Sequence, residues 1–242
     1  QHRVGGDPAR GSDPPQGRGV RADLLRRAPA RLLVAEGLGT GLLVLGVIGS
    51  SLMAASLTVD RGVALLANAA ATGAILYVLV SVFGPLSGAQ LNPVVTLVLA
   101  LRRELDAGTA AALGASQVLG GVLGAVAAHL MFGAPALALS PIVRTGPAQW
   151  LAEAIAAFGR LLAILVGRVV ARERVAALVA CYIAGAYWFT ASTSFANPAV
   201  TLARTLTASP AGIRPLDAPA FILAQLAGGL AAAALSGWLL RR

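Results

Sequence analysis

Residues 92–97 read Asn-Pro-Val-Val-Thr-Leu, and residues 197–202 read Asn-Pro-Ala-Val-Thr-Leu. Five of the six positions are identical between the two hexamers. Asn is a favoured N-cap of helices, and Pro is favoured at the first helical position. The two hexamers therefore predict that one helix begins after Asn92 and that another begins after Asn197.

The sequence around the hexamers is repeated as well. Ala35-Glu36 precedes the first hexamer as Ala152-Glu153 precedes the second, and Gln117 and Gln225 follow them. The two Glu residues are 117 positions apart, the two Asn residues 105 and the two Gln residues 108. Three landmarks in the same order predict an internal repeat, with one copy at about 31–132 and the second at about 148–240.

The composition excludes an ordinary soluble domain. The chain of 242 residues is 57% hydrophobic and 12% charged, with a mean hydropathy of +0.77, whereas soluble domains are about 25% charged. Long uncharged stretches of this kind predict membrane spans of about 20 residues. Six are expected, at 32–55, 63–83, 107–132, 148–168, 175–192 and 218–240.

Three spans in each copy make the second copy inverted relative to the first. Each hexamer then begins a helix of about ten residues, ~15 Å long, which reaches only halfway across the bilayer. Paired Gly/Pro-interrupted segments at corresponding positions of inverted repeats indicate a substrate path. The predicted fold is an all-α membrane protein with six transmembrane helices plus two re-entrant half-helices in two inverted repeats.

The two half-helices are expected to approach from opposite leaflets and to meet tip to tip near the midplane. Each N-terminus carries roughly half a positive charge, which repels cations. The amides of Asn92 and Asn197 can donate hydrogen bonds to a passing oxygen atom. Such a site favours neutral solutes that carry oxygen.

The formal net charge is +9, and all nineteen basic residues are Arg. Most of them lie on one predicted face, in residues 1–31, 102–103, 168–174 and 241–242. The positive-inside bias then places both termini in the cytoplasm and makes the lipid bilayer, not nucleic acid, the expected partner. Residues 1–30 are predicted to be a disordered basic tail, because they are rich in Gly, Pro and Arg.

Residues 87–96, together with Asn197-Pro198-Ala199, resemble the major intrinsic protein family of aquaporins and aquaglyceroporins. The first motif departs from the family by having Val94 after Pro93. The resemblance implies an aquaporin-like channel domain over 31–242, a homotetramer with one pore per subunit, and a bacterial-type plasma (inner) membrane. Residues 187–195 are similar to those of bacterial aquaporins associated with arsenic resistance.

The resemblance also implies a set of selectivity-filter residues. Counting back from the two Asn residues without gaps gives Thr72 and Gly185, and Val200 stands where family members typically have Arg. Ser194 is the expected fourth position, or Phe195 if the register shifts by one. These side chains predict a wide, weakly polar filter for glycerol, urea or neutral metalloid and arsenical species.

Charged residues inside spans require protein or water around them. The resemblance implies that Glu36 and Glu153 accept hydrogen bonds from the re-entrant backbone, the alternative being proton-coupling carboxylates. Arg160 lies on the same helical face as Glu153, so it is expected either to pair with a carboxylate or to be interfacial. Arg204 shares a face with Val200 and is expected either to place positive charge at the outer mouth or to snorkel to the interface.

The sequence thus favours a passive channel for water and small neutral solutes. The alternative is an inverted-repeat secondary transporter of a small solute coupled to protons. Gln117 and Gln225 are expected to pack between helices. No nucleophile, base and acid set suggests an enzyme, and no cofactor or metal site is expected.

Overall fold

The computed structural model describes residues 29–241, whose regular structure is helical. The helices are α1 (Pro29–Leu57), α2 (Arg61–Ser87), α3 (Pro93–Leu101), α4 (Ala107–Met131), α5 (Pro147–Val170), α6 (Val175–Phe189), α7 (Pro198–Arg204) and α8 (Ala218–Leu239). Two short 3-10 helices, Arg172–Arg174 and Pro215–Asp217, precede α6 and α8. Residues 1–28 of the predicted tail lie outside the described residues, while Pro29 and Ala30 already belong to α1.

The six long helices correspond to the six predicted spans. Five of them, α1, α2, α4, α5 and α8, are long and apolar enough to cross a membrane. Helix α6 has 15 residues and ends at Phe189, three residues before the predicted end of that span. Helix α2 continues to Ser87, past the predicted end at residue 83, with Pro85 inside its last turn.

The packing follows the inverted repeat. The most extensive helix contacts join α1 to α4 in the first copy and α5 to α8 in the second. The half-helices α3 and α7 contact each other, and each also packs against α4 and α8. The predicted architecture of six long helices and two half-helices is therefore confirmed.

Small residues allow these helix pairs to approach closely. A Cβ atom at Gly120 of α4 would overlap the carbonyl oxygen of Gly37 on α1. At the matching crossing in the second copy, a Cβ atom at Gly228 of α8 would overlap the carbonyl oxygen of Ala154 on α5. Helices in lipid associate through such close backbone contact, and here it positions the glutamates of α1 and α5 against the re-entrant segments.

Candidate functional site

Both Asn-Pro motifs begin half-helices. The Asn92 side chain accepts a hydrogen bond from the Val94 amide at 2.9 Å, and the Asn197 side chain accepts one from the Ala199 amide at 3.0 Å. Pro93 and Pro198 occupy the first turn of α3 and α7. Both Asn residues have extended backbones and no exposed surface. These are the helix starts that the two hexamers predicted.

The same two side chains join the half-helices to each other. The Asn92 amide nitrogen donates to the carbonyl oxygen of Ala196 at 2.8 Å, and the Asn197 amide nitrogen donates to that of Leu91 at 2.7 Å. Each Asn thus binds the residue that precedes the other Asn. An amide nitrogen carries two protons, and each of these hydrogen bonds uses one of them.

Glu36 holds the segment before the first motif. One carboxylate oxygen accepts hydrogen bonds from the Ser87 hydroxyl at 2.5 Å and the Gln90 amide at 3.0 Å. The other accepts from the Leu91 amide at 2.6 Å and the Gln117 side chain at 2.9 Å. Leu91 has a left-handed backbone with φ of 49°, so the carboxylate stabilises a strained turn.

Glu153 makes the corresponding contacts in the second copy. Its oxygens accept hydrogen bonds from the Ser192 hydroxyl at 2.6 Å and from the backbone amides of Phe195 and Ala196 at 2.8 and 2.9 Å. The Gln225 side chain donates at 2.6 Å. Ala196 is left-handed with φ of 49°, matching Leu91 in the first copy.

Gln117 and Gln225 do more than fill space between helices. The Gln117 amide also donates to the Thr96 hydroxyl on α3 at 3.0 Å, and the Gln225 amide donates to the Thr201 hydroxyl on α7 at 2.8 Å. Each Gln therefore ties a glutamate to a half-helix. Each carboxylate accepts four hydrogen bonds, which is the arrangement expected if Glu36 and Glu153 support the re-entrant backbone.

A small cavity of about 20 Å³ lies beside α7. It is lined by residues of α1, α2, α5, α6, α7 and the segment that precedes α7, namely Leu43, Val47, Thr72, Leu76, Arg160, Ile183, Tyr187, Ser194, Phe195, Val200 and Arg204. Thr72, Ser194 and Val200 of the sequence-derived filter are therefore brought together. Phe195, the alternative to Ser194, also lines the cavity.

Gly185, the remaining filter residue, is in a different place. It is exposed, on the face of α6 that carries the exposed side chains Leu178, Cys181 and Trp188. Tyr187 faces the cavity instead, and its hydroxyl lies 3.1 Å from that of Thr72. Gly185 does not line the cavity, whereas Tyr187, two residues further along α6, does. The sequence signal that could have identified this lining residue was the aromatic Tyr187, two positions after Gly185.

Arg204 does not snorkel to an interface. It is 1% exposed, and its Nε donates to the carbonyl oxygen of Ala211. The guanidinium carbon lies 3.3 Å from the centroid of the Phe195 ring, and the guanidinium carbon of Arg144 lies 5.1 Å from the same centroid. These contacts fix Arg204 within the protein, at the wall of the cavity.

Neither expectation for Arg160 is met. Arg160 is 3% exposed within α5, so it is not interfacial, and no ion pair joins it to a carboxylate among residues 29–241. Arg160 lies seven positions after Glu153, so the two residues are ~10 Å apart along the axis of α5. Glu153 uses its oxygens for the segment before α7, so the two charges do not meet. The cavity lining therefore contains two guanidinium groups, those of Arg160 and Arg204. It is more polar than the filter residues alone suggested.

Two inverted repeats, half-helices that meet at capped N-termini, and a cavity beside them define a membrane channel. The family model of the major intrinsic proteins matches residues 24–163. Aquaglyceroporin AqpS from Rhizobium meliloti (strain 1021) is 56% identical over 219 residues, which are 90% of this chain and 92% of the relative. The chain belongs to the major intrinsic protein family, and it is a passive channel for water and small neutral solutes, not an enzyme.

The fold is also similar to a solved structure. The X-ray structure of the aquaglyceroporin from Plasmodium falciparum superposes with a TM-score of 0.67 at 18% sequence identity. The similarity covers 87% of this chain and 95% of that one. At this identity it shows the shared fold alone.

Proposed function

We propose that the channel conducts glycerol, urea and neutral metalloid or arsenical hydroxides in addition to water. The observation that carries this proposal is the mixed lining of the cavity. Leu76, Ile183 and Val200 offer apolar surface, and the hydroxyls of Thr72 and Ser194 offer hydrogen bonds. The Ser194 hydroxyl has no partner among the described residues. Polyols and hydroxides have both kinds of surface, so this lining suits them.

Charge supports neutral rather than cationic substrates. None of the described residues that line the cavity is acidic, and both half-helix N-termini direct positive charge at the pore centre. Arg204 adds a positive charge one turn beyond Val200 on α7. A cation would meet this potential while losing its hydration shell. Arg204 is thus the outer-mouth charge of the proposed channel.

The location and assembly of the channel are part of the same proposal. The distribution of Arg supports a bacterial-type plasma (inner) membrane protein with both termini in the cytoplasm. The relative's name, aquaglyceroporin, supports glycerol as a substrate. Exposed apolar residues on α6, such as Leu178, Trp188 and Phe189, suit contact with lipid or with neighbouring subunits of a homotetramer.

Vesicle permeability tests this function against a proton-coupled transporter. In proteoliposomes subjected to stopped-flow osmotic jumps, we expect water, glycerol and urea to cross faster than in protein-free liposomes. The solute flux should rise linearly with the gradient and should not change when a transmembrane pH gradient is imposed. Saturable uptake that follows the pH gradient would favour the transporter, and permeability equal to that of protein-free liposomes would contradict both.

A further inference from the structure

We propose that Arg160 on α5 is a fixed cation of the permeation path, which repels cations and donates hydrogen bonds to the oxygen atoms of passing neutral solutes. This assignment rests on the proposed function, since it concerns how the same cavity selects its solutes. It makes Arg160 a specificity-determining residue. Val200 occupies the position on α7 where family members typically have Arg. In this channel Arg160 on α5 supplies a positive charge from a different side of the cavity.

The first support is that the Nε atom of the Arg160 guanidinium has no partner among residues 29–241. Arg160 is 97% buried and lines the cavity. A guanidinium has five N–H donors and no acceptor. An unpartnered buried donor costs free energy unless water or a solute satisfies it, and here the cavity provides the place for one.

The second support is that no carboxylate in the described part of the chain forms an ion pair with Arg160. Glu36 and Glu153, the fully buried glutamates among residues 29–241, each accept four hydrogen bonds elsewhere. Neither lines the cavity. The positive charge of Arg160 therefore acts on the contents of the cavity instead of being neutralised by an ion pair. Charged residues inside membrane proteins typically face such a path.

The third support comes from the internal repeat, because the position that matches Arg160 in the first copy carries an uncharged side chain. Glu36 and Glu153 are 117 residues apart, and the same offset relates Leu43 on α1 to Arg160 on α5. Both residues line the cavity. Because the first copy fills this position with leucine, the fold itself does not require a cation there. The positive charge of Arg160 is best explained by its interaction with a permeating solute.

Arg204 does not duplicate this role. Its Nε donates to the Ala211 carbonyl, and its guanidinium stacks on the Phe195 ring. Arg160 has no such restraint among the described residues. A guanidinium presents parallel N–H groups that match two oxygen atoms on one solute. Diols, urea-like carbonyls and hydroxylated metalloids can therefore accept hydrogen bonds from the Arg160 guanidinium, whereas its positive charge repels a cation.

Urea and the guanidinium ion provide a direct test, because they are nearly identical in size and planar shape but differ in charge. Initial uptake of each radiolabelled compound, at tracer concentration, is measured in proteoliposomes with the membrane potential clamped at zero. Arg160→Leu should raise the ratio of guanidinium to urea permeability by at least about tenfold, because a unit charge a few ångströms from the path is removed. Arg160→Lys keeps the charge and should keep the wild-type ratio.

Two further variants make the result interpretable. Arg168→Leu removes an exposed Arg from the same helix, whose partner is Glu104 at 2.8 Å, and it should leave the ratio unchanged. Arg160→Gln keeps an amide donor without charge and should raise the ratio as Arg160→Leu does, so it serves if the leucine variant folds poorly. An unchanged ratio in the folded neutral variants would overturn the assignment. Failure of the wild-type channel to pass urea would instead overturn the proposed function.

Discussion

Replacing Glu153 with alanine is expected to abolish conduction and to destabilise the folded protein strongly. The change removes the acceptor for the backbone amides of Phe195 and Ala196, the Ser192 hydroxyl and the Gln225 side chain. Each buried donor left without a partner costs about 1–3 kcal/mol, and net protein stability is only about 5–15 kcal/mol. Helix α7 would then lose its support at the pore centre.

Thermal unfolding in detergent and water permeability in vesicles measure this effect. Glu173→Ala is the matched control, because Glu173 is an exposed glutamate in the short helix before α6, and it should behave like the wild type. Glu153→Gln keeps one acceptor oxygen and should fall between the two. If Glu153→Ala were as stable and as permeable as Glu173→Ala, the support role of this carboxylate would be disproved.

Val200→Arg is expected to suppress glycerol conduction far more than water conduction. Val200 is 4% exposed at the cavity wall, so a longer side chain must project into the path. The added bulk excludes the larger solute first, and steric discrimination of this kind is commonly tenfold or more, so glycerol permeability should fall by at least about tenfold. Water permeability should fall by a smaller factor.

Val200→Ala serves as the control for this substitution, since it enlarges the cavity at the same position. It should leave glycerol permeability equal to or greater than that of the wild-type channel. Stopped-flow shrinking and swelling of the same vesicle preparation gives both permeabilities. An equal loss of water and glycerol in Val200→Arg, or no loss of either, would show that residue 200 does not set the filter width.

The architecture could be predicted because it depends on local chemistry that sequence displays. Asn followed by Pro caps a helix wherever it occurs, and two such pairs in matching surroundings fixed the half-helices at Asn92 and Asn197. The spacing of Glu36, Gln117 and their counterparts revealed the inverted repeat. The long uncharged stretches then gave the six spans with errors of a few residues at their ends.

The cavity lining was less predictable, because it depends on which helix faces lie against the cavity and on competition for partners. The count back from Asn197 gives Gly185, but a count along the sequence does not show which face of α6 lies against the cavity. Tyr187, which lines the cavity, was therefore missed. For Arg160, helical periodicity placed it on the face of Glu153 but could not show that the carboxylate was fully used elsewhere. For Arg204, the acceptor at Ala211 lies in a loop whose path the sequence does not display.

An experimental density map of the protein in a lipid nanodisc, resolved to side chains, tests the central claim most directly. The claim is that α3 and α7 meet through their capping asparagines inside the membrane. We expect the Asn92 amide within hydrogen-bond distance of the Ala196 carbonyl, and the Asn197 amide within that distance of the Leu91 carbonyl, as observed here at 2.8 and 2.7 Å. Asparagines separated by other helices, or located in loops that face bulk water, would contradict it.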